Sequence, residues 1–182
     1  MSSRNKILQN IARAQYPEVT KPEIYKHGYS EQDVLTGFLD ACRRNGTEII
    51  SVSDREEATK AYKRTVFQHE SANDQLTALL VESTLGVAEN GSVWLPEEAL
   101  PDRVAPFACE HLCVLLFMEN LVPTMHHAYQ RFLDHASGNP AGVVSGFGVF
   151  IAGPSKTADI EQTLVTGAQG SKKHTLFLIT SM

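Results

Sequence analysis

Apolar and polar positions alternate along the 182-residue chain in two periods, and each stretch predicts an element. Residues 4–14 fit a short helix. Pro17, Pro22 and Gly28 mark residues 16–29 as a linker or arm. Ser30 and Asp33 give a capping-box-like start, Val34, Leu35, Phe38, Leu39 and Cys42 share one helical face, and Asn45-Gly46 ends it. A strand is expected at 48–52. Ser53 and Glu56 then form a capping box for a charged helix to about Arg64. Residues 65–76 are polar and give no period. Thr77 to Leu95 is strand-like, broken by a hairpin turn at Glu89-Asn90-Gly91.

A short helix is expected within 97–108. The continuous apolar run Leu112 to Met118 suits a strand covered on both faces. Pro123 opens a helix with Met125, Ala128, Tyr129, Phe132, Leu133 and Ala136 on one face, ended by Gly138, Asn139 and Pro140. Val143 to Ile151 reads as a strand. Gly153-Pro154 starts a helix with Ile160, Leu164, Val165 and Ala168 on its apolar face, and Thr175 to Ile179 is the last strand. Strands alternating with helices predict an α/β fold of three layers, α/β/α, around a largely parallel Rossmann-like sheet. The expected division is residues 1–29 as an N-terminal helix and arm, and 30–182 as one α/β domain.

Composition narrows the class. Hydrophobic residues are 42% and charged residues 20%, as in globular domains. A net charge of −5 is a poor match for gripping a nucleic-acid backbone. The charge is uneven: residues 65–130 carry −8, against +2 before and +1 after. Cys42, Cys109 and Cys113 form no disulfide framework, fit a reducing compartment, and fall short of the four thiolates of an ordinary iron–sulfur cluster. No apolar stretch follows Arg4 and Lys6, so no secretory signal is expected. The longest uncharged stretch, 136–155, holds five glycines and two prolines and does not suit a membrane span. These features predict a cytoplasmic protein.

Two segments could carry chemistry. Gly148 to Thr157 superficially suggests a phosphate-binding P-loop, but Pro154 and Ser155 separate Gly153 from Lys156, where that template needs them adjacent. A helix starting there would still offer free N–H groups, and with Lys156 would favour an anion. Equally, Ser155, Thr157, Asp159 and Glu161 would serve simply to cap it. Glu89 in the turn Glu89-Asn90-Gly91-Ser92 is either an exposed turn acid or a carboxylate poised as base or nucleophile. Cys109-Glu110-His111-Leu112-Cys113 has no second ligand pair at zinc-site spacing, so no metal is expected. His126, His127 and His135 lie on the helix after Pro123 without metal-pair spacing. His69 and His174 carry no local signal, and Trp94 suits the core.

Taken together, Val87-Ala88-Glu89-Asn90-Gly91-Ser92-Val93-Trp94-Leu95 and Gly153-Pro154-Ser155-Lys156-Thr157-Ala158-Asp159-Ile160-Glu161 resemble the lactate utilization protein C family, whose members are single lactate-utilization (LUD) domains. The second segment matches the family pattern throughout. Leu164-Val165-x-Gly167-Ala168-x-Gly170 also fits, and His111 falls where the family tends to carry a histidine before an apolar strand. The likeness covers about residues 75–180. It implies a fold similar to ribose-5-phosphate isomerase, glucosamine-6-phosphate deaminase and class I CoA transferases. It implies a role in oxidising L-lactate to pyruvate beside iron–sulfur partner proteins, with no cofactor bound by this chain. Class I CoA transferases carry a nucleophilic glutamate in Ser-Glu-Asn-Gly, which Glu89-Asn90-Gly91 resembles, with Ala88 in place of the serine.

Three functions follow as expectations. The first is a subunit of a lactate-oxidising assembly, holding a small carboxylate or phosphate through Asn90, Gly91, Ser92, His111, Gly153, Pro154, Ser155, Lys156, Thr157 and Asp159. The second is a stand-alone enzyme on a small anionic, phosphorylated or acyl-CoA substrate with Glu89 as catalytic group. The third is an anion sensor without turnover.

Overall fold

The structure is a computed structural model that describes residues 3–13, 28–67, 78–136, 138, 146–157 and 165–180. The chain forms helix α1 (Ser3–Arg13), helix α2 (Glu31–Asn45), strand β1 (Glu48–Val52), helix α3 (Arg55–Phe67), and strands β2 (Ala78–Glu82), β3 (Leu85–Val87) and β4 (Ser92–Pro96). Helix α4 (Ala105–Ala108), strands β5 (His111–Phe117) and β6 (Leu121–Val122) and helix α5 (Met125–Ala136) follow. Strands β7 (Gly148–Ile151), β8 (Lys156–Thr157), β9 (Val165–Thr166) and β10 (Lys173–Ile179) complete it.

The helix ends follow from local chemistry. Ser30 Oγ accepts the Asp33 N–H, and α2 stops at Gly46 in the left-handed region, φ +85°. The capping box of α3 lies one residue later than the sequence suggests. Asp54 Oδ1 accepts the Glu57 N–H at 2.8 Å, and Glu57 Oε2 accepts the Ser53 N–H at 2.7 Å. The Ser53 hydroxyl lies 2.8 Å from Glu57 Oε2 and 3.2 Å from Asp54 Oδ2 and donates its proton to the nearer, which leaves Asp54 as the cap. The helix then continues past Arg64 to Phe67.

A parallel sheet in the order β1-β10-β5-β2 is the centre of the fold. Successive side chains point to opposite faces. Cys113, Leu115, Phe177 and Ile179 pack against Ala58 and Ala61 of α3. Leu112, Val114, Leu116, Leu176 and Leu178 pack against Phe38 and Cys42 of α2 and against Val93 and Leu95 of β4. The α/β class with a parallel sheet flanked by helices is therefore as the sequence predicts.

The strand-like stretch ending at Leu95 belongs to two sheets. At Ser83 the chain leaves the parallel sheet. The buried Ser83 hydroxyl lies 2.9 Å from both the Leu85 and Trp94 carbonyl oxygens, which fixes the crossing. Strands β3 and β4 then join a second, mixed sheet, β6-β3-β4-β7. Its outer face carries Leu85, Val87, Trp94 and Phe150, covered by Met125, Ala128 and Phe132 of α5. This adds a layer to the expected three. The element expected within 97–108 is two short pieces, a 3-10 turn at Glu97–Ala99 and α4.

The helix expected after Gly153-Pro154 does not start there. Lys156–Thr157 is strand β8, paired antiparallel with Val165–Thr166 of β9. Gly153 sits at φ +81°, outside the helical region, and the Ser155 N–H donates to Ser171 O. The β-branched Thr157, Val165 and Thr166 suit an extended pair, and these pairings override the helical period. Asp159, Ile160, Glu161 and Leu164 lie outside the described residues, as do 143–145 of the strand expected before Ile151, His69, and Asn139 and Pro140.

Candidate functional site

Helix α2 runs back along the sheet and ends beside the first residue of β1, so its last turn lies at the edge where the parallel strands begin. Both sequence motifs gather there. Strands β3 and β4 form the expected hairpin with Val87 opposite Ser92, but its loop has four residues, Ala88 to Gly91, closed by Gly91 N–H to Val87 O at 2.9 Å. Gly91 adopts φ +68° because the turn lies directly on α2. A Cβ there would meet Cys42 N at 2.8 Å and Ala41 C at 2.9 Å.

Asn45, the last residue of α2, connects the two motifs. Its side-chain amide donates to Asn90 O at 2.7 Å, while its backbone carbonyl accepts from Lys156 Nζ at 2.6 Å. Gly153 packs on the same residue, and a Cβ on Gly153 would lie 2.7 Å from Asn45 O. A cation at a helix C-terminus is favoured by the exposed carbonyls, so Lys156 caps α2 from 111 residues away. The Asn90 side chain holds its own turn, accepting from the Ser92 N–H at 3.0 Å and the Ser92 hydroxyl at 2.7 Å.

Glu89 is exposed, and its carboxylate is engaged: Oε2 accepts the Met125 N–H at the start of α5 at 3.0 Å. Its position therefore ties the turn to that helix. Ser155 is fixed by its own backbone, its N–H on Ser171 O and its carbonyl accepting from Gly167 N–H. Pro154 packs near Gly46 beside the Lys156 side chain.

His111 lies on the opposite face of the sheet and is 2% exposed. Its Nε2 is 2.8 Å from Thr175 Oγ1, and the Thr175 hydroxyl donates to Glu48 Oε2 at 3.1 Å. Thr175 Oγ1 thus sits between His111 Nε2 and the Glu48 carboxylate and links the two. His174 is the buried partner on the α2 face. Its Nδ1 is 3.0 Å from Thr47 Oγ1, and its Nε2 has no hydrogen-bond partner among the described residues. Burial, with His111 nearby, pushes its pKa down to about 4. The sequence offers no local sign of Asn45, Thr175 or His174 as site residues, because each acts through a partner at least 45 positions away.

The three cysteines are buried thiols. Burial pushes Cys42 and Cys113 up to about 12 and raises Cys109, which opposes thiolate ligation. Cys42 and Cys113 face opposite sides of the parallel sheet. They do not fit an iron–sulfur cluster. Among the described residues, no three His, Cys, Asp or Glu side chains converge as a metal site.

At the opposite edge, where open parallel sheets usually bind ligands, a shallow cleft of about 300 Å³ is lined by Ser53, Asp54, Arg55, Glu56, Phe117 and Ile179. Arg55 is committed there, bonded through two nitrogens to Glu82 and lying 4.5 Å from the Phe117 ring centre. Asp54 and Glu57 already occupy the start of α3, so the cleft disfavours an anion.

Comparisons with known proteins agree with this fold. The family model of the LUD domain matches residues 68–179. Lactate utilization protein C of Geobacillus kaustophilus (strain HTA426) is 29% identical over 113 residues, 62% of this chain and 46% of the relative. The chain thus spans about half the length of that curated relative. A crystal structure of a DUF162 family protein from Deinococcus radiodurans superposes with a TM-score of 0.55 at 14% identity, over 84% of this chain and 100% of the other. Among the described residues no helix is long and apolar enough to cross a membrane.

Proposed function

The chain belongs to the LUD domain family, and from that premise we propose that it acts as a lactate utilization protein C-like subunit in the oxidation of L-lactate to pyruvate, together with iron–sulfur partner proteins. The observation that carries this reading is the family match over residues 68–179, with a curated relative named for lactate utilization. Removing two electrons from a 2-hydroxy acid needs an acceptor that amino-acid side chains do not supply. Iron–sulfur clusters on the partners would take those electrons.

The bonding of the two motifs supports a binding or docking role for this subunit. Lys156 and Glu89 are both spent on helix ends, at Asn45 O and Met125 N–H respectively. A small carboxylate or phosphate would meet the end of α2 by sharing Lys156 with Asn45 O, beside Gly153, Ser155 and the Asn90-Gly91-Ser92 turn. The test is deletion of the gene in its native cell. Growth on L-lactate as sole carbon source is lost and returns with the wild-type gene; unimpaired growth contradicts the proposal.

The exposure of the Glu89 carboxylate favours a second reading, a stand-alone enzyme with Glu89 as base or nucleophile. Glu89→Gln keeps the hydrogen bond to Met125 N–H but removes the charge. If that protein restores growth on lactate as well as wild type, the catalytic reading fails.

A further inference from the structure

Helix α1 has every residue exposed, including Ile7 (58%), Leu8 (51%) and Ile11 (63%). At about 100° per residue these three side chains fall in one arc, with Arg4 inside it and Lys6 and Arg13 on the opposite side. The helix carries three basic residues and no acid, in a chain whose net charge is −5. An isolated helix of this length is marginal in water, so its apolar arc is a face awaiting a partner. Among the described residues, nothing buries Ile7, Leu8 or Ile11.

The same chain presents a surface of matching chemistry. Val104 is 65% exposed, Phe107 47% and Phe147 47%. They are held near one another: Arg103 lies 4.2 Å from the Phe147 ring centre, and the Phe107 N–H donates to Val104 O. Two acids lie beside them: Asp102 Oδ1 accepts the Val104 and Ala105 N–H groups, and the Glu98 carboxylate lies next to Gly146. Glu97 is paired with Arg103 and Glu110 with Lys172, which leaves the exposed Glu98 and Asp102 without a cationic partner in the described structure. The other exposed apolar pair, Tyr129 and Leu133 on α5, has Arg131 and Asp134 beside it and no excess of acid.

We propose that the Val104–Phe107–Phe147 patch is the docking surface for α1 of a second copy of this chain. Ile7, Leu8 and Ile11 would lie on the three apolar side chains, and Arg4 would face Glu98 and Asp102. Reciprocal exchange of the two helices closes a twofold dimer with the same contact made twice. The linker of 14 residues between Arg13 and Gly28 spans at most about 50 Å, enough to reach a neighbouring copy.

Sedimentation equilibrium of the full chain over a range of concentration tests this. The wild type is expected to show a monomer–dimer equilibrium that weakens as salt is raised. Ile7→Asp with Ile11→Asp should weaken self-association at least about tenfold, since removing each buried aliphatic contact is worth about one decade. Phe107→Glu should do the same. Because every α1 side chain is exposed, the Ile7→Asp, Ile11→Asp protein keeps its fold, which circular dichroism checks. Arg4→Glu should weaken the dimer, and combining it with Glu98→Lys should restore it. A monomer at every concentration overturns the proposal. So does a dimer that survives the α1 substitutions, or one abolished by Tyr129→Glu with Leu133→Glu but not by Phe107→Glu.

Discussion

Gly91 shows at residue scale how closely the hairpin turn is built onto α2. Its left-handed backbone and the lack of room for a Cβ against Cys42 N and Ala41 C act together. Gly91→Ala is expected to lower stability by at least about 2 kcal/mol, read as a lower urea midpoint. His174 sets a pH dependence. Its folded pKa of about 4 lies below the ordinary 6.5, so the unfolded chain binds the extra proton between those values. Its contribution is therefore complete above about pH 6.5 and falls as the pH drops toward 4. The loss is on the order of 3 kcal/mol. Urea unfolding at pH 7 and pH 5 reads the part lost between them, on the order of 2 kcal/mol. A His174→Asn protein with the same pH slope as wild type would show that His174 is not responsible.

The end of α2 is where elements distant in sequence are tied together. Asn45→Ala removes the amide that reaches Asn90 O and should cost about 1 kcal/mol. Because Asn45 touches both motifs, backbone amide shifts of residues 89–92 and 153–157 should move together in that variant. Shifts confined to one segment would mean the two are not coupled through Asn45. These links explain what the sequence disclosed and what it hid. The apolar runs at 112–118 and 175–179 were legible as strands because burial on both faces leaves few polar positions, whereas the edge strand 48–52 was legible from the β-branched Ile49, Ile50 and Val52. The stretch after Gly153 was not, because its backbone pairs with Val165–Thr166 and Ser171, and a helical period says nothing about such partners. The division of the second sheet from the first rests on the buried Ser83 hydroxyl, a tertiary feature with no local signature.

At the scale of the molecule, the two motifs were legible as a pair and their meeting place was not. They gather at the edge where the parallel strands begin, while the cleft at the other edge is lined by carboxylates and a committed arginine. Asn45 read in sequence only as a helix stop, and His111 as a candidate ligand-holding residue before a strand rather than one end of a buried His111–Thr175–Glu48 chain. The three cysteines are buried free thiols that form no metal-binding group among the described residues. The central claim, that this chain works with iron–sulfur partners, is tested most directly by purifying the tagged protein from its native cell grown on L-lactate and recording the visible spectrum of what comes with it. Cysteine-rich proteins are expected in the eluate, with a broad visible absorption that bleaches on reduction. A colourless eluate holding this chain alone would contradict it.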